Sequence, residues 1–453
     1  MNKYFGTDGF RGEAGVTLTA DAAFKTGRYL GYYLKNKMDK KDAKPKVAIG
    51  KDTRLSSYML EYSIAAGLAA SGADVYLLHV TTTPSVSYIT LTDGFDLGIM
   101  ITASHNPYYD NGIKIIDSHG EKLKDDVALL IEDYIDGKSD EIPFASGARI
   151  GKIHDHYSGR NRYLGYLISL ASNSYKGIKV GLDSANGAAF AISRSVFTAL
   201  GAEVYSVGDD PNGLNVNEDC GSTHPERLCE LVKEKELDLG FAFDGDADRC
   251  IAVDKDGRIV NGDRIIYLLA KRLKRLGMLY NDTVVTTVMS NGGFIKSASD
   301  IGIKVETTRV GDRFVFEKMQ ELGAMLGGEE SGHVIIKKYA TTGDGILSAI
   351  MITEEMCDTK STLRELTEAV CDYPQISASI RVKNKALAIL DKEVLALKER
   401  IEGDLLPDGR LLLRESGTEP KIRVMVEARD IAVCKKYVNE ISELLKKRGH
   451  AIE

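Results

Sequence analysis

The sequence predicts an α/β protein with three mixed α/β domains of related build and a smaller α+β domain at the C-terminal end. Three observations predict it. Short, near-continuous apolar runs are each followed by a Gly- or Asp-containing turn and then an amphipathic stretch, the pattern of sheets covered on both faces. That theme occurs three times along the chain. The last stretch then changes character, to alternating strands flanked by long helices. A length of 453 residues agrees, since roughly 150 residues per domain allows three or four.

Taken in order, Lys46 to Gly50 reads as a strand, with a helix over Ser57 to Ser71 after the turn Asp52-Thr53-Arg54. Asp74 to His79 and Asp96 to Thr102 read as further strands. The theme returns at Ile178 to Asp183, where Ser184-Ala185-Asn186-Gly187 leads into a helix reaching Leu200. It returns again at Thr283 to Met289, before Ser290-Asn291-Gly292-Gly293. In the final stretch, Gln375 to Val382, Arg410 to Arg414 and Lys421 to Glu427 read as strands, with helices over Asn384 to Glu402 and Asp430 to Arg448. The expected domains are 1–150, 151–256, 257–372 and 373–453.

Composition narrows the function. A net charge of −7 without a basic stripe argues against a nucleic-acid partner. The N-terminus has no apolar segment of signal-peptide type, and no apolar run is long enough to span a bilayer. Cys220, Cys229, Cys250, Cys357, Cys371 and Cys434 contain no C-x-x-C pair, which fits reduced thiols in a cytoplasmic protein rather than a disulfide framework or a zinc site. In that compartment the sequon at Asn281 carries little weight. A homodimer stays open.

Five segments carry chemistry. Thr102-Ala103-Ser104-His105-Asn106-Pro107 follows an apolar strand, and its proline keeps the loop from turning helical at once. Alone, Ser104 reads as an ordinary turn serine; no G-x-S-x-G elbow surrounds it. Lys114, expected at the start of the next strand, is placed to return beside it. Asp244-Gly245-Asp246-Ala247-Asp248-Arg249 crowds three carboxylates into one turn between apolar strands. Unpaired they would raise one another's pKa, and a hard cation such as Mg²⁺ relieves this, so metal binding is favoured over a solvated hairpin turn. In Gly327 to His333, the residues Glu329, Ser331 and His333 alternate and would share a face if extended. That suits a polyhydroxylated ligand, or equally a polar hairpin. Arg414 to Arg423 brackets a Ser416-Gly417-Thr418 turn with two arginines, the parts of a phosphate cradle. Phe5 to Gly12 surrounds Arg11 with glycines that let it enter a cleft. Neither G-x-x-x-x-G-K-[ST] nor a strand-borne G-x-G-x-x-G occurs, so nucleotide-dependent readings lose their usual support.

With FGTDGFRG, TASHNPYYDNGIK, DGDADR, GGEESGH followed by TTGDG at Thr341 to Gly345, and RESGTEPKIRVMVEA in that order, the chain resembles the α-D-phosphohexomutases over essentially its whole length. Within them it is most similar to the bacterial glucosamine-phosphate branch. The resemblance implies four domains around a central cleft and a phosphoserine at Ser104, primed by a sugar bisphosphate or by autophosphorylation. It implies one Mg²⁺ held by Asp244, Asp246, Asp248 and the phosphoserine at Ser104. Arg11, His105, Lys114 and Arg249 match residues around the transferring phosphoryl group. Glu329 and Ser331, with His333 close by, match sugar contacts. Arg414, Ser416, Gly417, Thr418 and Arg423 match the grip on the substrate's non-reacting phosphate.

The activity so implied is interconversion of glucosamine 6-phosphate and glucosamine 1-phosphate through a bisphosphorylated sugar, feeding UDP-N-acetylglucosamine and cell-wall synthesis. The alternative within the family is phosphoglucomutase or phosphomannomutase activity. Outside it stand a metal-dependent phosphatase and a non-catalytic sugar-phosphate sensor. Glu330, where many glucosamine-phosphate members carry glutamine, leaves the sugar open. Ala247 replaces a glycine common in the acidic loop and is expected to matter little.

Overall fold

The computed structural model describes every residue except 1, 2, 7, 39–42, 124, 407, 408, 417–419 and 453. The chain forms two compact units. One comprises residues 1–289 with 303–368, the other 290–302 with 369–453.

Within the first unit one strand arrangement recurs three times. The first repeat has strands Lys46–Lys51, Asp74–Val80, Leu97–Ile101 and Asp110–Asp117. The second has Lys179–Asp183, Glu203–Val207, Leu239–Phe243 and Cys250–Asp254. The third has Thr283–Thr287, Lys304–Thr308, Leu326–Gly328 and Val334–Ile336. In each, the first strand is flanked by the second and the third, both parallel to it, and the fourth runs antiparallel beside the third. Helices fill the parallel crossovers, as such connections require. Strands Leu97–Ile101, Leu239–Phe243 and Thr283–Thr287 are buried along their whole length, the signature of sheets covered on both faces.

Each third-to-fourth connection is a hairpin loop, over residues 102–109, 244–249 and 329–333, and these three loops are the serine loop, the acidic loop and the Glu329 to His333 segment. Three motifs far apart in sequence thus hold one topological position. Additions to the repeat are few. Gly9–Glu13 runs antiparallel to Asp110–Asp117 and sets Arg11 opposite Gly112. Ile153–Asp155 joins the edge at Asp74–Val80, so the first sheet extends past residue 150.

Lys114 lies in mid-strand, paired with Met100, and not at a strand start as the sequence suggested. The strand begins earlier because Asp110 and Asn111 pair with Glu13 and Gly12 of the N-terminal segment, a partner invisible to local pattern.

The second unit is a three-stranded antiparallel sheet, with Lys421–Glu427 between Gln375–Arg381 and Arg410–Glu415. Its apolar core gathers Ile422, Val424, Val426 and, from helix Ile431–Lys447, Tyr437, Val438 and Ile441. The single helix expected over Asn384 to Glu402 is two, Lys385–Ile389 and Lys392–Leu405. Asp391 breaks it, because its carboxylate accepts from the amides of Glu393 and Val394 and caps a new helix. Helix Gly292–Asp300, which follows the first strand of the third repeat in sequence, clusters with this unit through Glu427, whose carboxylate accepts from Gly292 N at 2.8 Å.

Candidate active site

Ser104 is 1% exposed and sits in the left-handed region at φ 53°, a conformation that a non-glycine residue keeps only when its surroundings hold it. Its Oγ donates to Asp244 Oδ2 at 2.5 Å and lies 3.4 Å from His105 Nδ1. The acidic loop comes this close because Gly245 has no side chain: a Cβ there would stand 2.6 Å from Ser104 O.

Asp244, Asp246 and Asp248 are all buried, with ligand oxygens within 4.8 Å of one another, the one such cluster among the described residues. Asp246 Oδ1 and Asp248 Oδ1 are buried and accept no hydrogen bond from the described residues. Burial, together with repulsion from Asp248 and Asp246, pushes the Asp244 carboxyl well above the usual range. Orphaned oxygens and mutual repulsion are what a hard cation would relieve, so the donor set fits Mg²⁺.

Lys114 reaches into the same loop, 2.7 Å from Asp246 Oδ2 and 2.8 Å from Asp248 Oδ2. Burial would lower its pKa, but Asp246, Asp248 and Asp8 outweigh that and hold it well above its ordinary value. Arg249 lies 4.0 Å from both Asp244 and Asp248. For His105 burial dominates and Arg249 and Arg11 add to it, pulling the imidazole down to about 4, which leaves it neutral at pH 7.

An open cleft of about 520 Å³ lies above these groups, lined by Arg11, His105, Asp248, Arg249, Glu329, Ser331 and His333 among others. The sugar-facing candidates therefore do meet, though not by the alternation that the sequence suggested. Residues 329–332 form a turn closed by Gly332 N to Glu329 O, with Gly332 at φ 90°, so the segment is folded over rather than extended. Glu329 Oε1 accepts from Gly311 N at 3.2 Å. His333 Nε2 accepts from Gly343 N at 3.1 Å, which puts the ring proton on Nδ1, 3.6 Å from Asp248. Glu330 also lines the cleft, and its Oε1 lies 3.4 Å from Asn261 Nδ2.

In the second unit Arg414 and Arg423 face one another across neighbouring strands. Like charges in direct register are unfavourable without an anion, and burial followed by Arg423 lowers the Arg414 pKa. Ser416 is buried beside them, its carbonyl accepting from Lys385 Nζ at 2.7 Å. Gly417 and Thr418 lie outside the described residues.

Sequence reasoning passed over several neighbours of the site. Asp8 pairs with Arg11 and lies 3.3 Å from Lys114. Burial opposes its ionisation, yet Lys114, Lys122 and Arg11 hold its carboxyl well below the usual range. Thr83 donates to Asp246, and Asp312 lies 3.6 Å from His333. The polar run Thr81-Thr82-Thr83, directly after strand Asp74–Val80, was the available signal for one of them.

Four successive segments match the domains of one family, phosphoglucomutase/phosphomannomutase: alpha/beta/alpha domain I over 2–141, domain II over 161–257, domain III over 261–373 and the C-terminal domain over 379–444. The chain is 55% identical to a phosphoglucosamine mutase of Lachnospira eligens, over 100% of both chains. It is 46% identical to one of Bacillus cereus, over 98% of this chain and 99% of that protein. Among solved structures it is similar to a phosphoglucomutase/phosphomannomutase family protein of Burkholderia thailandensis, with a TM-score of 0.79, 25% identity, and 99% and 98% of the two chains covered.

Proposed function

This chain belongs to the phosphoglucomutase/phosphomannomutase family, and on that premise we propose that it is a phosphoglucosamine mutase, interconverting glucosamine 6-phosphate and glucosamine 1-phosphate. The observation that carries the chemistry is the 2.5 Å contact between Ser104 Oγ and Asp244, at the edge of the buried aspartate cluster. Full-length likeness to phosphoglucosamine mutases supports the choice of sugar.

In this reading Ser104 Oγ carries a phosphoryl group. A hydroxyl of the bound sugar monophosphate attacks the phosphorus, the new P–O bond forms as the P–Oγ bond breaks, and the hydroxyl proton ends on Ser104 Oγ. His105, neutral and 3.4 Å from that oxygen, suits the proton's passage. Lys114, Arg11 and Arg249 place positive charge around the transferring group, where positioning and electrostatics supply most of the rate. The bisphosphate then turns end for end, and its other phosphate returns to Ser104 by the reverse of the first step.

Asp244, Asp246 and Asp248, with the phosphoserine oxygen, would hold one Mg²⁺, which supplies neutralisation of phosphoryl charge when bound. Glu329, Ser331 and His333 are assigned to the sugar hydroxyls. Arg414, Ser416 and Arg423, with Gly417 and Thr418, are assigned to the non-reacting phosphate. A cytoplasmic setting is supported by six unpaired cysteines, and no helix among the described residues is long and apolar enough to cross a membrane.

The test is a coupled assay with Mg²⁺ and a trace of sugar bisphosphate, comparing kcat/KM on glucosamine 6-phosphate, glucose 1-phosphate and mannose 1-phosphate. Inorganic phosphate is followed in parallel. A preference for glucosamine phosphate without phosphate release is expected. Preference for glucose or mannose would reassign the substrate, and stoichiometric phosphate release would overturn the mutase.

A further inference from the structure

Arg54 is fully buried, and its guanidinium is spent on the serine loop. Nη2 donates to Ser104 O at 2.9 Å and Asn106 O at 2.8 Å, while Nη1 donates to Pro107 O and to Asp110 O at 3.1 Å. Nε donates to Asp52 Oδ2 at 2.8 Å. From the second repeat, Asn217 Nδ2 donates to the same two carbonyls, Ser104 O at 2.9 Å and Asn106 O at 3.0 Å. The other flank of the serine is fixed as well. Ser104 N donates to Thr102 Oγ1 at 2.9 Å, and Thr102 Oγ1 donates to Asp52 Oδ2 at 2.7 Å.

We propose that Arg54 and Asn217 are positioning residues that clamp the Ser104 loop by its carbonyls and hold the serine in its left-handed conformation. The inference rests on the phosphoserine reading above. Arg54 offers a planar fork of donors with a permanent charge, so it can grip several carbonyls at once where a lysine cannot. Both peptide planes beside Ser104 are held, which is what a strained residue at φ 53° needs in order to persist. Neither residue touches Oγ. Their effect runs through the aim of that oxygen toward the incoming phosphorus, and a misplacement of about 1 Å can cost on the order of 100-fold in rate.

The experiment compares Asn217→Ala, Asn217→Asp, Arg54→Lys and Ser104→Ala with wild type in steady-state turnover. It also measures single-turnover loading of Ser104 from a sugar bisphosphate, read by intact mass. Asn217→Ala is expected to lose roughly 10-fold in kcat and in loading rate with KM unchanged. Asn217→Asp loses more, since its carboxylate faces two carbonyls and cannot donate. Arg54→Lys is expected to lose on the order of 100-fold in both rates; should it not fold, the Asn217 variants decide. Wild-type kcat in Asn217→Ala, or a loss that appears only in KM, would overturn the clamp while a dead Ser104→Ala left the phosphoserine reading standing. An active Ser104→Ala would overturn the reading itself.

Discussion

The serine loop of the first repeat and the acidic loop of the second hold the same topological place, yet they use it oppositely. Each turns on a buried residue in the left-handed region, Ser104 at φ 53° and Ala247 at φ 57°. In the first loop the strained residue carries the oxygen proposed to react, and its neighbours are neutral. In the second the strained residue is inert, and the residues around it, Asp244, Asp246 and Asp248, carry the charge. One place in the repeat thus serves to present a single side chain in one copy and to crowd side chains in the other. A related contrast lies beneath them. Asp52, just after the first strand of the first repeat, is paired with Arg54. Asp183, at the end of the first strand of the second, accepts only backbone donors among the described residues, Ala185 N at 2.9 Å and Gly221 N at 2.7 Å.

The largest expected effect removes the aimed oxygen. Ser104→Ala keeps the backbone conformation and is expected to lose turnover by roughly 10⁴-fold or more, with its thermal midpoint close to wild type. Retained turnover would erase the functional difference between the two loops.

Next comes the link between them. Lys114, on the strand that follows the serine loop, carries positive charge into the acidic loop. Lys114→Met leaves buried carboxylates without it, and breaking such a buried pair costs about 3–5 kcal/mol. Because the lost charge is one a cation can replace, Mg²⁺ is expected to raise the variant's melting temperature by more than it raises that of wild type. Equal Mg²⁺ shifts in the two proteins would mean that the aspartates do not hold the ion.

The two first-strand aspartates give a smaller, pH-dependent contrast. Burial raises Asp183 to about 6, with its two backbone donors only partly offsetting that. A raised folded pKa means that the native state binds the proton more tightly. The stabilisation is therefore complete below about pH 4 and is lost as pH rises through 6. Between pH 5 and pH 8 the loss is on the order of 1 kcal/mol. In urea titrations at those two pH values, Asp183→Asn is expected to show a pH dependence smaller by about that amount. An unchanged dependence would mean that Asp183 stays ionised in the native protein.

Much of this was legible before any coordinates. Apolar runs such as Thr283 to Met289 announce a strand buried on both faces, and three aspartates in one turn mark a candidate cation site. What stayed hidden depends on partners distant in sequence. Arg54 and Ser104 are separated by 50 residues and Asn217 and Ser104 by 113, so no local window contains both. Lys114 shifted to mid-strand because Gly9–Glu13 pairs with its strand. Between the two readings that the sequence left open for Glu329 to His333, extended or hairpin, Gly332 at φ 90° decides for the turn. The shared position of the three hairpins is a property of sheet order, which periodicity does not encode.

The smallest effect is expected at Ala247, and it sharpens the comparison most directly. Left-handed backbone costs an alanine about 1–2 kcal/mol, and glycine would remove that. Glycine would also lose about 0.8 kcal/mol from the buried methyl group and about 0.5–1 kcal/mol in unfolded-state entropy. These terms nearly cancel, so Ala247→Gly is expected to change stability by less than about 1 kcal/mol and to leave kcat unaltered. That near-balance explains how alanine stands in a turn that needs a positive φ, so long as the position carries no chemistry. Ala247→Val, β-branched at the same φ, has no such offset and is expected to lower the thermal midpoint clearly. If Ala247→Gly instead altered kcat, the inert residue of the second loop would be tuning the aspartates, and the two hairpins would differ less than their sequences imply.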